Sequence, residues 1–138
     1  MKIQLEPATF RIPVTTDWKT CENKEWREAP TKDIWVHENG EQLYAWAAAL
    51  RETKKAGKRL PTDEELEGME LEDFSGLLAG YRVMNGTFYN RGTYTFVWSS
   101  SEAGGNVWGR ALHSSFPTVN RRTYTKDYGF SVRCLLEE

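Results

Sequence analysis

The sequence contains few of the residues that most often build catalytic or metal centres. Its 138 residues include 2 histidines and 2 cysteines: His37, His113, Cys21 and Cys134. No two of these four stand at the spacing typical of zinc ligands. The C-terminal half lacks the clustered carboxylates of a calcium site. Neither a nucleophile elbow nor a glycine-rich phosphate-binding loop is present. We therefore expect a chain without a catalytic residue, metal or cofactor.

The two cysteines are too few for a disulfide scaffold. The chain starts with MKIQLEPATF, which has no apolar stretch of the kind found in a signal peptide. We therefore interpret Cys21 and Cys134 as thiols buried like small apolar side chains, with a disulfide as the alternative if the chain ends meet.

Excess charge of one sign and long apolar runs are also missing. The 18 Lys and Arg residues nearly balance 20 Asp and Glu residues, for a net charge of −2. This balance argues against a nucleic-acid partner, which favours a basic surface. No segment approaches the roughly 18 apolar residues of a membrane span. These absences predict a cytoplasmic or virion-associated protein that does not insert into membranes.

Aromatic residues, by contrast, are abundant. The chain has 6 Trp, 6 Tyr and 6 Phe, and aromatic residues beyond those that a core needs are typical of recognition surfaces. We interpret Trp18, Trp26 and Trp35 as anchors that hold loops against the core.

The first 85 residues indicate a mixture of strands and helices. Residues Phe10–Val14 alternate like an edge strand. A helix is predicted over Glu41–Ala56, with its buried face formed by Leu43, Trp46, Ala47 and Leu50. Thr62, followed three residues later by Glu65, predicts a capping box at the start of a second, shorter helix.

From Gly80 onward, short strand candidates alternate with glycine-rich turns. They are Tyr81–Val83, Thr87–Tyr89, Tyr94–Trp98, Val107–His113 and Phe130–Leu135. Helices followed by an antiparallel meander predict a single α+β domain over residues 1–138.

The segment Asn106–His113 suggests a strand with two different faces. Trp108, Arg110 and Leu112 point one way and suit burial. The opposite face carries Val107, Gly109, Ala111 and His113. That face has neither the consistent volume of a core nor the charge of a solvated surface. It is either a set of ordinary exposed positions or a recognition surface.

Several motifs resemble those of C-type lectin fold proteins of the formylglycine-generating-enzyme-like branch. Within that branch the chain is similar to the variable proteins of diversity-generating retroelements. The motifs are Arg59-Leu60-Pro61-Thr62, Gly80-Tyr81-Arg82, Gly86 to Gly92, Trp98-Ser99-Ser100-Ser101-Glu102 and Gly129-Phe130-Ser131-Val132-Arg133-Cys134. The resemblance implies two helices packed on a small antiparallel sheet, long irregular loops and paired N- and C-terminal strands.

The resemblance further implies that a reverse transcriptase diversifies residues 95–128 at template adenines. The implied ligand-binding positions would contact a macromolecular target, which we expect to be a protein. They are Phe96, Ala103, Gly105, Val107, Gly109, Ala111, His113, Phe116, Thr123, Tyr124, Thr125 and Asp127. The implied fixed scaffold is Trp98, Trp108, Phe130 and Val132.

Two other functions remain open at this stage. An oxidase of the formylglycine-generating type would require an activated thiol at Cys134, with or without Cys21. A carbohydrate-binding domain would work without calcium, because the Glu-Pro-Asn, Gln-Pro-Asp and Trp-Asn-Asp motifs of calcium-dependent sugar binding are absent.

Overall fold

The computed structural model describes residues 6–7, 19–21, 25–30, 33–69 and 78–136. Within these ranges the chain forms two helices, α1 (Trp46–Lys55) and α2 (Asp63–Leu66). The strands are β1 (Glu6–Pro7), β2 (Lys19–Thr20), β3 (Trp26–Glu28), β4 (Ile34–His37), β5 (Gln42–Tyr44), β6 (Lys58–Arg59), β7 (Tyr81–Arg82), β8 (Phe88–Tyr89), β9 (Tyr94–Ala103), β10 (Asn106–His113), β11 (Phe116–Tyr124) and β12 (Arg133–Leu136). No helix in the described ranges is both long and apolar enough to cross a membrane.

The longest strands form one antiparallel sheet in the order β11-β10-β9. Of these, β11 was not predicted as a strand, because Pro117 and the Arg121-Arg122 pair obscure its pattern. Both features are tolerated at the edge of a sheet, where a strand needs partners on one side only. Here β11 lies at that edge.

The prediction of an α+β fold of the C-type lectin type is wrong. The described residues are mostly strand and form four small sheets, and the helices have only ten and four residues. Much of the difference lies before helix α1, where the sequence suggested loops anchored by Trp26 and Trp35; four short strands lie there instead. They form a four-stranded sheet, β2-β3-β4-β5, in which Trp26 and Trp35 are buried strand residues. Trp18 lies outside the described residues.

The first predicted helix is also shorter than expected, because Gln42–Tyr44 pair with Ile34–Val36 as strand β5. The helix therefore begins at Trp46. Its buried residues are Trp46, Ala48, Ala49 and Thr53, whereas Ala47 is exposed. Shifting the start of the helix thus rotates the face that meets the core.

The two ends of the domain meet in a three-stranded sheet, β1-β12-β6. Glu6 pairs with Cys134, so an N-terminal strand does pair with the C-terminal one. The predicted strand Phe10–Val14 lies outside the described residues. Both cysteines are free thiols, so the proximity of the chain ends produces no disulfide.

Both faces of the central sheet β9-β10-β11 pack partly against the rest of the chain. On one face, Trp98 and Val107 join the main core with Phe130, Val132 and helix α1. On the other face, Val97 and Leu112 pack against Leu66 of α2. Both faces of β10 are therefore largely committed to the fold.

Helix α2 is attached to this second face by its first residue. The capping box predicted at Thr62 and Glu65 is confirmed. Asp63 then accepts hydrogen bonds from Arg110 at 2.6 Å and from Arg121 at 2.6 Å. The guanidinium of Arg121 also lies 3.4 Å from the centre of the Trp108 ring. One carboxylate therefore ties α2 to both β10 and β11.

Candidate functional site

One side of the central sheet carries a row of half-exposed aromatic side chains that continues onto the β7–β8 hairpin. We call this surface the aromatic face. It consists of Tyr81, Tyr89, Tyr94, Phe96, Tyr124 and Tyr128, with His113 at one end. Tyr89 is an exposed residue of this face, at 45% exposure.

The rings contact one another along a continuous path. The edge of His113 meets Tyr94 at 4.6 Å between ring centroids, and Tyr94 lies 5.9 Å from Phe96. Phe96 meets Tyr124 edge-on at 5.6 Å, and Tyr124 meets Tyr128 at 5.7 Å. Such offset and edge-to-face contacts each contribute about 0.5–1.5 kcal/mol beyond simple burial.

The sheet register explains why these rings share one side. Tyr94 pairs with His113, and Phe96 pairs with Ala111, so all four side chains point the same way. Tyr124 pairs with Val107 on the same side of the sheet. This side of the sheet therefore carries Tyr94 and Phe96 from β9, His113 from β10 and Tyr124 from β11.

The hairpin adds Tyr81 and Tyr89 from a distant part of the sequence. Tyr81 lies 4.3 Å from Phe96 and 5.7 Å from Tyr89. Gly80 makes this approach possible, because a Cβ atom there would collide with the backbone carbonyl of Tyr89. Its φ of +72° also favours glycine.

A buried layer holds the aromatic face in place. Phe130 is fully buried and lies 4.8 Å from Tyr124 and 5.1 Å from Phe96. Trp98 lies 4.2 Å from Phe130 and donates a 2.7 Å hydrogen bond to the carbonyl of Tyr44. The exposed rings therefore rest on a packed floor, so ordering them on binding costs little entropy.

The phenol groups of Tyr124 and Tyr81 remain protonated at neutral pH. Burial raises the pKa of Tyr124 to about 12, an effect that the nearby Arg122 cation partly offsets. Burial likewise raises the pKa of Tyr81. Tyr124 and Tyr81 therefore present uncharged hydroxyl groups, which both donate and accept hydrogen bonds.

The predicted ligand-binding positions divide into accessible and buried groups. Phe96, His113, Tyr124 and Thr125 are half-exposed, while Thr123, Asp127 and Gly105 are exposed. Ala103, beside Gly105 at the β9–β10 turn, is half-buried. Thr125 and Asp127 hydrogen-bond to each other at 2.6 Å. The side chain of Phe116 lies outside the described residues.

Three predicted ligand-binding positions are not available to a ligand. Val107 is 0% exposed and belongs to the main core, because its side of β10 faces Phe130 rather than solvent at that point. Gly109 is buried next to the Tyr124 ring, and Ala111, which pairs with Phe96, is only 6% exposed. Thr123 pairs with Trp108 and lies on the opposite side of the sheet from the aromatic face.

The predicted scaffold residues occupy interior positions with one difference. Trp98, Phe130 and Val132 are buried in the main core. Trp108 is only half-buried, because its ring is covered by the Arg121 guanidinium rather than by apolar side chains. The cation–π contact shields this ring on the second face of the sheet.

Sequence reasoning missed four members of the aromatic face: Tyr81, Tyr89, Tyr94 and Tyr128. Tyr94 had a local signal, since it precedes Phe96 by two residues and must share its side of β9. Tyr81 and Tyr89 reach the face only through tertiary contacts and had no such signal.

The histidines and cysteines do not come together. Within the described ranges, no three His, Cys, Asp or Glu side chains converge as metal ligands. Cys134 is 0% exposed in the main core. Burial, and secondarily the charge of Glu28, raise the pKa of the Cys21 thiol. Neither environment activates a thiolate.

The chain belongs to the Fibrobacter succinogenes major domain family, whose sequence model matches residues 2–135. No curated protein and no solved structure gives a significant match. The family match does not test the resemblance to retroelement variable proteins, which stays a prediction.

Proposed function

We propose that this chain is a non-catalytic binding module that recognises a protein target through the aromatic face. The observation that carries the proposal is the continuous row of half-exposed rings resting on the buried Phe130. In a protein that binds no ligand, burying such rings would add to stability, so their exposure favours a role in recognition.

The composition of the face fits a protein partner. Tyrosine offers a large, rigid contact area and a hydroxyl group, and few rotatable bonds are frozen when it binds. Four of the six aromatic residues on the face are half-exposed tyrosines with ring contacts to their neighbours: Tyr81, Tyr94, Tyr124 and Tyr128. Such residues commonly dominate the binding energy of protein interfaces.

We also propose that part of this face is diversified by a retroelement, as the sequence resemblance implies. Support comes from the position of the accessible candidates: Phe96, His113 and Tyr124 lie on the aromatic face, and Thr125 and Asp127 follow β11 directly. The buried Val107 and Gly109 act as scaffold in this proposal. A nearby imperfect DNA repeat of the segment for residues 95–128, differing only at adenines, would support diversification; a neighbourhood without one contradicts it.

The recognition proposal is tested with the whole chain on arrays of purified proteins and of glycans. The affinity of each bound protein is then measured for the parent chain and for the Tyr89→Ala and Tyr94→Ala variants. Each substitution is expected to weaken binding about tenfold or more. Met84→Ala is the matched control, because Met84 is an exposed apolar residue at 55% exposure and has no ring contact of its own. All variants are checked for unchanged thermal unfolding.

Three results would count against the proposal. Binding that survives both tyrosine substitutions would place the contact elsewhere. Binding only to glycans would favour the carbohydrate-binding alternative. Rapid labelling of Cys134 in the native state would contradict its burial and revive the oxidase alternative.

A further inference from the structure

The outer edge of β11 has no neighbouring strand in the part of the chain that the structure describes. Within the described residues β11 pairs only with β10, and no backbone hydrogen bond leaves its other side. The opposite edge of the sheet is different, because β9 forms bridges with Gly80 and Ser131. About half of the N–H and C=O groups of β11 therefore face away from the sheet, as in any edge strand.

The side chains along this edge have a definite order. Asn120, Arg122 and Tyr124 pair with Ala111, Gly109 and Val107, which places them on the side of the aromatic face. Asn120 and Arg122 are exposed. Going along β11, a strand laid beside it would therefore meet an amide, a cation and an aromatic ring in turn.

The two arginines of this strand differ in availability. Arg121 is held by Asp63 and stacks on Trp108 on the other side of the sheet. The side chain of Arg122 makes no hydrogen bond or ion pair within the described part of the chain. Its charge is therefore available to an acidic partner.

We propose that the open edge of β11 binds an extended acidic segment of the target, which adds to the sheet as a fourth strand. This inference rests on the proposed recognition function and names the form of the ligand. Backbone hydrogen bonds would supply affinity, and alternate side chains would supply specificity. The segment would place a carboxylate opposite Arg122 and an apolar side chain opposite Tyr124, two positions apart.

A second copy of this chain is a poorer occupant of the same edge. Antiparallel pairing of two β11 strands about their centre would bring both Arg121-Arg122 pairs close to the shared axis. Like charges near one another across a strand pair are destabilising. An acidic strand turns the same charge into an attraction, so it is the occupant that we favour.

The experiment uses a capped peptide probe in which threonine alternates with valine and glutamate (Thr-Val-Thr-Glu, repeated). Binding to the whole chain is followed by NMR, through amide shifts and hydrogen exchange in β11. A second probe carries N-methyl groups at alternate residues, which removes the backbone donors of one edge. A third probe replaces glutamate by lysine.

We expect the parent probe to slow amide exchange in β11, and both altered probes to bind about tenfold more weakly or not at all. Arg122→Glu should weaken binding of the parent probe by about tenfold. Lys54→Glu, an equal charge change on α1, should leave it unchanged.

Binding of the N-methylated probe as tight as that of the parent probe would overturn strand addition, as would an absence of parent-probe binding at millimolar concentration. Dimerisation through β11 without probe binding would also overturn the proposal. Failure here leaves recognition by the aromatic face intact, because that proposal is judged by Tyr89→Ala and Tyr94→Ala on array-derived targets.

Discussion

Replacing Gly109 by alanine tests whether the aromatic face depends on a missing side chain. A Cβ atom at this position would lie 2.9 Å from the carbonyl oxygen of Val97 and 3.2–3.3 Å from two carbons of the Tyr124 ring. The first contact is with backbone, so relief requires β9 and β10 to move relative to each other. The second requires the Tyr124 ring to shift off the strand.

The expected magnitude follows from two opposing effects. Overpacking of this kind costs about 1–3 kcal/mol. Removing a glycine from a strand returns about 0.5–1 kcal/mol, because the unfolded chain loses freedom. We therefore expect Gly109→Ala to lower the free energy of unfolding by about 1 kcal/mol, which lowers Tm by about 4 °C for a chain of this size.

The assay is thermal and urea unfolding followed by tryptophan fluorescence. The same substitution in a Tyr124→Ala background should cost about 0.5 kcal/mol less, because only the contact with Val97 remains. A Gly109→Ala variant as stable as the parent would refute the reasoning. It would also return position 109 to the set of residues that diversification could change freely.

Three other predictions concern single titratable groups. Asp63→Asn should lower the free energy of unfolding by about 3 kcal/mol or more, because Arg110 is only 3% exposed and would keep only the exposed Glu67, 3.8 Å away, as a counter-charge. Glu64→Gln, which changes an exposed residue of the same helix, is the control, and an equal effect of the two substitutions would contradict the prediction. Hydrogen bonds from the Arg59 side chain lower the pKa of Glu65 to about 2. The ion pair contributes on the order of 2 kcal/mol to the free energy of unfolding above pH 4.5, and this contribution is lost as the pH falls from there toward about 2. Glu65→Gln should therefore flatten the plot of unfolding free energy, measured with urea, against pH in that range. An unchanged slope would count against the ion pair. Finally, the difference between the ultraviolet pH titrations of the parent and of Tyr124→Phe reports ionisation of the Tyr124 phenol. We expect this phenolate to form near pH 12, whereas formation near pH 10 would mean that the ring is exposed.

Local signals predicted some elements well. The capping box at Thr62 was readable because it depends on two residues three positions apart. The strand β10 was readable because period-two alternation is a property of adjacent residues. The start of α1 was not, because whether Gln42–Tyr44 continue a helix or form a strand depends on Ile34–Val36 lying beside them.

The candidate site was predicted in part for a related reason. Alternation correctly separated the two sides of β10 but could not show which side is covered at each point. Val107 and Ala111 are buried on the same side of β10 on which His113 is half-exposed. That difference depends on tertiary packing, such as that of Phe130 against Phe96 and Tyr124.

The sequence by itself determined four properties of this protein: many aromatic residues, nearly balanced charge, few metal-binding side chains and strands with two unlike sides. Those properties follow from composition and short-range periodicity. Tertiary structure alone decided that Tyr81 meets Phe96 and Tyr89, that Asp63 joins α2 to two strands, and that β11 has only β10 beside it among the described residues. Such contacts join residues that are distant in the chain, and their free energy depends on packing that no local pattern encodes.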